Sequence, residues 1–286
     1  MRKGTGAIVV TLVLVAVTVG TGIWDLRTVR TDDAQAVAVR TTPTPLPTIA
    51  VTRPRGSPQD YEAGVSVVIY GNDPYFDRKA QVLLNRLATL GANSVSLVIP
   101  VFQQGWAASE VYADPVKTPT DAAIAVFATQ ARHRGFSVML RPLLDIVVQE
   151  DGAHWRGSIQ PPDRAQWKST YAALIMKYAR LAQANHLAIL NIGSELDSME
   201  KDGAFWQGLI GSVRTAFHGQ VTYSSNWAKS FPSFGQSLDL ISVDAYFPLK
   251  APDNASASDL VTAWQQWIAR LDRMRRSFNK RLVLTE

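Results

Sequence analysis

Two glutamates stand out for the chemistry they could do. Each closes a short apolar run: Glu195 ends Ala188-Ile189-Leu190-Asn191-Ile192-Gly193-Ser194-Glu195, and Glu286 ends Arg281-Leu282-Val283-Leu284-Thr285-Glu286. Short, β-branched runs bounded by Gly and polar residues read as buried parallel strands. A carboxylate at the carboxyl end of such a strand stands where barrel enzymes place reacting groups. Two such carboxylates facing each other across one pocket form the constellation that cleaves a glycosidic bond, with one as proton donor and the other as nucleophile or base. Rival chemistries have little to stand on. The chain has no cysteine, no H-E-x-x-H metal motif and no G-x-S-x-G elbow. No metal and no cofactor are expected.

Further candidates surround the pair. Tyr246 follows the sixth strand, next in order to the strand of Glu286, and its hydroxyl could orient that carboxylate; a core tyrosine is the plain alternative. Asn226 suits a sugar hydroxyl. Trp227 suits the apolar C–H face of a pyranose, as do the loop residues Trp106 and Trp155, although loop tryptophans also serve as lids on a core. Arg141 ends the third strand and either contacts substrate or pairs with a neighbour. Trp167, Trp264 and Trp267 lie at helical spacing and read as core.

The elements that must position these residues alternate. Strands are expected at 64–70, 93–99 (stopped by Pro100), 136–140 (ending at Arg141-Pro142), 188–195, 221–224, 238–243 and 281–286, each separated by a helix. A helix capped by Asp77 ends at Gly91, and another opens at Pro119 and Asp121. A third carries Trp167, Tyr171, Leu174, Ile175, Tyr178 and Leu181, and a last one is capped by Asp259. Right-handed crossovers between such strands give a parallel sheet. The fold class is therefore α/β: a (β/α)8 TIM barrel lacking its last strand and helix. An open doubly wound sheet is disfavoured, because no Gly-rich phosphate turn follows strand one. The loops after strands two and three are long and aromatic, which suits an active rim. Closure requires an eighth strand between the seventh and the first, so a chain ending at Glu286 is expected to be truncated and poorly stable.

The 286-residue chain carries a net charge of +5, but seven of its 29 basic and four of its 24 acidic residues lie in the first 60. The remainder is nearly balanced, so nucleic acid is not an expected partner. Arg2-Lys3 followed by an apolar run from Ala7 to about Trp24 reads as a signal peptide or signal anchor, N-terminus inside, over residues 1–30. Thr41-Thr42-Pro43-Thr44-Pro45-Leu46-Pro47-Thr48 belongs to a Pro/Thr-rich linker over 31–60, extended and semi-rigid. The folded domain is set at 61–286. The protein is expected to be extracytoplasmic, secreted or held on the membrane by its N-terminal segment, and monomeric.

The motifs together resemble clan A retaining glycosidases and, more narrowly, glycoside hydrolase family 113. The resemblance rests on Arg141-Pro142, Ile192-Gly193-Ser194-Glu195-Leu196, Tyr223-Ser224-Ser225-Asn226-Trp227, Asp244-Ala245-Tyr246-Phe247-Pro248 and Leu284-Thr285-Glu286, in that order over about 61–286. It implies endo-β-1,4-mannanase-type hydrolysis with retention, Glu195 as acid/base and Glu286 as nucleophile, acting on a polysaccharide or oligosaccharide. Two departures stand out: Ser194 occupies the position where many relatives have Asn, and the clan's eighth strand is absent. Another clan A specificity (a β-glucanase or exo-β-mannosidase) and a non-catalytic carbohydrate-binding envelope protein with a degenerate barrel remain alternatives.

Overall fold

The computed structural model describes residues 47–52, 62–73, 76–149 and 152–286; the apolar leader and most of the linker lie outside them. Seven strands alternate with five α-helices: β1 (Gly64–Val68), α1 (Phe76–Thr89), β2 (Ser94–Gly105), α2 (Asp121–His133), β3 (Ser137–Val148), α3 (Arg164–Ala184), β4 (Ile189–Ser194), α4 (Gly203–Ala216), β5 (Gln220–Asn226), β6 (Leu240–Asp244), α5 (Ala257–Phe278) and β7 (Arg281–Leu284). The strands form one parallel sheet in sequential order, β1 to β7. An order that never reverses belongs to a barrel and not to a doubly wound sheet, whose halves diverge at a switch point. The sheet curls until the Ser66 hydroxyl on β1 donates to the carbonyl of Thr285, just past β7, at 3.1 Å. Among the described residues the backbones of β1 and β7 do not pair, and the gap between them is a cleft lined by Gly64, Val65, Ser66, Val283 and Leu284.

The helices begin where side chains satisfy their first amides. Thr120 caps α2, Asp163 caps α3 and Asp202 caps α4. The cap of α5 is Ser256, with Asp259 at the third helical position closing a reciprocal capping box, so the sequence-based choice of Asp259 is corrected by three residues. Asp77 likewise lies inside the first turn of α1 and does not cap it.

Three larger expectations are corrected. β2 runs through Pro100, and β3 runs through Arg141 and Pro142. Residues of even number on β2 bond toward β1, as the Ile69 amide to the Val98 carbonyl shows, and the ladder with β1 ends at the pair Val68–Val98. The donor that Pro100 lacks therefore falls where no partner strand remains, so the strand continues; its carbonyl accepts from the Thr118 hydroxyl at 2.8 Å. Pro142 is placed alike, past the last pair of β3 with β4, Leu140–Leu190. Finally, no α-helix joins β5 to β6: that connection holds only a 3-10 turn, Ser233–Ser237.

The apolar core lies between the sheet and its helices. Leu97, Ile99, Leu140, Leu190 and Ile192 meet Leu84, Ile124, Phe127, Trp167, Tyr178 and Trp206, each such side chain contributing about 1.5–3 kcal/mol on burial. α5 is the exception, with only Leu271 fully buried. The inside of the curl is apolar at one end, where Met139, Ile189, Leu240 and Val283 form a small cluster of their own, and polar toward the rim, where Ser224, Thr222, Ser242, Asn191, Arg141 and Asp244 are all buried. Residues 47–52, read from sequence as linker, lie against α1 and α2: the Asn85 side chain accepts from the Ile49 amide at 3.2 Å and donates to the Pro47 carbonyl at 2.6 Å, and the Val51 amide donates to the Arg134 carbonyl at 2.8 Å.

Candidate active site

Arg141 is the hub. Its side chain is 0 % exposed, and a buried guanidinium needs partners for its fork of donors. Nη2 donates to Asp244 Oδ2 at 2.9 Å, Nε to Ser194 Oγ at 3.0 Å and Nη1 to the Thr285 carbonyl at 3.2 Å. Nη1 also lies 2.7 Å from Glu286 Oε1. Burial works against its charge, but the carboxylates of Asp244, Glu286 and Glu195 outweigh burial and raise its pKa. One side chain from β3 thus ties together β4, β6 and the end of β7.

Asp244 is held by a chain of hydroxyls. A carboxylate only accepts, so the Thr285 hydroxyl donates to Asp244 Oδ1 at 2.7 Å. The Ser224 hydroxyl, 2.8 Å from Thr285 Oγ1, must then donate to it, and Ser224 accepts from the Asn191 amide. The Asn191 carbonyl oxygen accepts from the Gly193 amide at 2.9 Å. That last bond sits at an irregularity where the register with β5 shifts between Asn191 and Ser194. An inserted residue re-aims the side chains beyond it, so Ser194 turns to Arg141 and the chain leaves β4 in a new direction.

Glu195 follows at once, with φ of 52°, in the left-handed region that side-chain-bearing residues rarely adopt. Its amide donates to the Ser224 carbonyl at 2.8 Å, which holds it there. The residue is 7 % exposed. Burial pushes its carboxyl up to about 7, helped by the nearby charges of Asp244 and Glu286 and opposed by Arg156. Arg156 Nη1 donates to Glu195 Oε2 at 3.1 Å, while Arg156 Nε is anchored on the Leu144 carbonyl at 2.8 Å.

Glu286 has a different setting. Its side chain is 21 % exposed, Oε1 faces Arg141, and Oε2 accepts from the Tyr246 hydroxyl at 2.7 Å. Its backbone carbonyl accepts from the Ala245 amide at 2.8 Å, which fixes the residue beside the end of β6. Tyr246 is otherwise exposed at 64 %, and burial together with the adjacent Glu286 pushes its hydroxyl pKa up, keeping it a donor.

The structure therefore brings Glu195, Glu286, Arg141 and Tyr246 to one rim. The other sequence candidates are placed around it. Asn226 ends β5 in register with Asp244, and its side-chain oxygen accepts from the Ala228 amide at 2.9 Å. Trp227 is half-buried, edge-on to Phe247 at 6.1 Å and to Trp267 at 5.8 Å. Trp106 stacks on His154 with ring centroids 4.2 Å apart. Trp155 lies over Gly157, where a Cβ would meet its ring at 2.5 Å. Asp244 stands in the sequence only inside a motif, and Arg156 has no signal of its own. The aspartate at the end of the apolar run 238–243 is the one usable sign of Asp244. Among the described residues no group of three or more His, Cys, Asp or Glu is arranged to hold a metal, and no helix is long and apolar enough to cross a membrane.

Comparison with known proteins agrees with this geometry. No curated protein sequence matches the chain. Among solved structures, the GH113 beta-mannanase AaManA from Alicyclobacillus acidocaldarius, solved with ManMIm, shares 25% identity and a TM-score of 0.67 over 78% of this chain and 69% of that one. Two further GH113 beta-1,4-mannanase structures share the fold at 19% and 20% identity, with TM-scores of 0.64 and 0.65; each covers 77% of this chain, and 70% and 69% of theirs respectively. The family model for Glycoside Hydrolase Family 113 matches residues 69–286, nearly all of the folded domain. The chain belongs to glycoside hydrolase family 113.

Proposed function

We propose that the protein is a retaining endo-β-1,4-mannanase-like hydrolase in which Glu195 is the acid/base and Glu286 the nucleophile. The observation that carries this reading is the unequal environment of the two carboxyls. Glu195, pushed up to about 7 by burial, holds a proton to give. Glu286, with one oxygen on Arg141 and the other on Tyr246, has both oxygens engaged as acceptors, as a carboxylate does. Two carboxyls in such unequal surroundings divide the work, the buried one as acid and the one held by donors as nucleophile.

In the first step the Glu195 carboxyl protonates the glycosidic oxygen while a Glu286 oxygen attacks the anomeric carbon; the C–O bond to the leaving sugar breaks and an ester to Glu286 forms. Arg141 and Tyr246 hold the attacking carboxylate still. In the second step the Glu195 carboxylate takes a proton from water, whose oxygen displaces Glu286 from the anomeric carbon and restores both groups. Two displacements at one carbon retain its configuration. The β-mannan substrate is supported by the mannanases among the similar structures. The test is direct: incubation with β-1,4-mannan should release reducing ends, NMR should show the β-anomer first, and a fluorinated glycoside should label Glu286. Release of the α-anomer, or no release, sinks the reading.

The same reading places the protein outside the cytoplasm, on the strength of the N-terminal charge and apolar run. Residues 47–52 dock by Arg134 and Asn85, at the N-terminal ends of the strands and away from the carboxylates, so a tether there leaves the rim free. Cell fractionation and protease shaving of intact cells test it.

A further inference from the structure

Glu200 is a half-buried acid with no part in the steps above. It lies five residues past Glu195, where the chain turns away from β4. The Tyr223 hydroxyl donates to Glu200 Oε1 at 2.8 Å, and the Tyr223 hydroxyl oxygen accepts from the Leu196 amide at 2.8 Å. Leu196 is the residue after Glu195, so this bond grips the far side of the left-handed turn, while the Glu195 amide on Ser224 grips the near side. A second tyrosine holds the approach: the Tyr171 hydroxyl donates to the Ile192 carbonyl at 2.8 Å. Gly193 lies between the two rings, and a Cβ there would come within 2.8 Å of Tyr223 and 2.9 Å of the Tyr171 hydroxyl. Tyr223 is itself immobile, packed edge-on to Trp206 and Phe234 at 5.2 Å each.

Left-handed backbone at a residue with a side chain costs about 1–3 kcal/mol and persists only where its surroundings enforce it. We propose that Tyr223 and Glu200 are positioning residues for the acid/base: Tyr223 holds the Leu196 amide, Glu200 orients the Tyr223 hydroxyl, and together they keep the Glu195 carboxyl on the rim it shares with Glu286. This rests on the role assigned to Glu195 above. The bond directions fit. The tyrosine oxygen is already an acceptor for Leu196, so its proton must go to a group that accepts, and Glu200 supplies that oxygen. The charged groups around Glu200 are Asp197 on its own segment, Lys229 from the β5–β6 connection, and Glu195; burial, the largest influence, pushes Glu200 up to about 7.

The test compares Tyr223→Phe, Glu200→Leu and Glu200→Gln, each first shown to melt cooperatively. In Tyr223→Phe and Glu200→Leu, kcat on β-mannan is expected to fall about 10- to 100-fold, up to the lower end of what a general acid contributes, with KM within about twofold. On an aryl β-mannooligoside with a good leaving group the first step needs little protonation, and kcat/KM, which reports that step, is expected to fall no more than about threefold. Glu200→Gln keeps an acceptor oxygen and should recover most of what Glu200→Leu loses. Equal losses on both substrates, or no difference between Leu and Gln at 200, overturn the proposal. If Tyr223→Phe fails to fold, the two Glu200 variants decide alone. A ¹³C-carboxyl titration of Glu195 needs no substrate: a carboxyl swung toward water should titrate about one pH unit lower in Glu200→Leu, and an unmoved midpoint overturns the proposal. If the wild-type protein cuts no β-mannan, the functional reading fails by itself while this titration still decides the positioning role.

Discussion

The ends of β4 and β7 carry the same residue on the same kind of strand, and the fold treats them in opposite ways. Glu195 leaves β4 through a register shift and a left-handed turn, is nearly covered, and meets one cation, Arg156, at 3.1 Å. Glu286 continues straight on from β7, keeps some exposure, and has both oxygens taken by Arg141 and Tyr246. At the first, burial dominates and favours the proton; at the second, one carboxyl oxygen faces the Arg141 guanidinium and the other accepts from the Tyr246 hydroxyl. The difference shows that a strand-end glutamate acquires its role from what the neighbouring strands bring to it.

The comparison breaks most sharply at Glu286, the proposed nucleophile. Glu286→Ala should lower turnover by about three orders of magnitude or more, the scale on which covalent machinery fails, on mannan and activated glycosides alike. Glu195→Gln should lower turnover about 10²- to 10⁴-fold on mannan and lower kcat/KM far less on activated substrates, whose first step needs little protonation. Steady-state kinetics on both substrate types check the pair; identical substrate dependence for the two variants contradicts the division of roles.

The support under Glu286 is tested next through stability. Arg141→Met strands Asp244 as a lone buried acid and should cost about 3–5 kcal/mol, read as a loss of unfolding free energy in denaturant. Adding Asp244→Leu should return much of that stability and none of the activity, because no buried charge remains but Glu286 has lost its partner. Activity regained in the double variant contradicts the role given to Arg141.

A smaller effect sharpens the β4 side. The pH dependence of kcat/KM reports the free enzyme, so activity should fall as pH rises through about 7, where Glu195 loses its proton. Arg156 opposes that proton, and Arg156→Ala should carry the alkaline limb upward; a limb moving down contradicts the assignment. The sign for stability follows from the same groups. The folded forms of Glu195 and Glu200 titrate above ordinary carboxyls, so between about pH 4.5 and 7 the folded protein binds more protons than the unfolded chain. Their contribution is complete below that window and is lost as pH rises through it. Thermal melts at pH 5 and pH 8 should show the lower Tm at pH 8.

The smallest effect concerns Trp227, expected from sequence to be a sugar platform. Its ring is half-buried against Phe247 and Trp267, contacts worth about 0.5–1.5 kcal/mol per aromatic pair. Trp227→Ala should lower Tm by about 2–6 °C on the scale expected for a domain of this size and also weaken oligosaccharide binding. Calorimetry of both quantities separates packing from stacking.

What the sequence determined by itself is the alternation of strands and helices and the delivery of a glutamate at two strand ends. Both are written in local periodicity, which fixes which face is apolar and where the run stops. Local pattern also misled. Pro100 and Pro142 read as strand ends because a missing donor is a local fact, whereas whether a partner strand remains to receive one is not. Asp259 read as a cap because the reciprocal bond to Ser256 is geometric. Only tertiary structure decided the site's electrostatics. Arg141 and Asp244 lie 103 residues apart, Arg141 and Thr285 lie 144 apart, and Arg156 meets Glu195 across 39. No window of sequence holds such pairs. Curling the sheet brings the ends of β3, β4, β6 and β7 onto one rim, and buried charge then has to be matched partner by partner. Two identical glutamates end in different surroundings because the charges and the burial that divide them are assembled by the fold and not by neighbours along the chain.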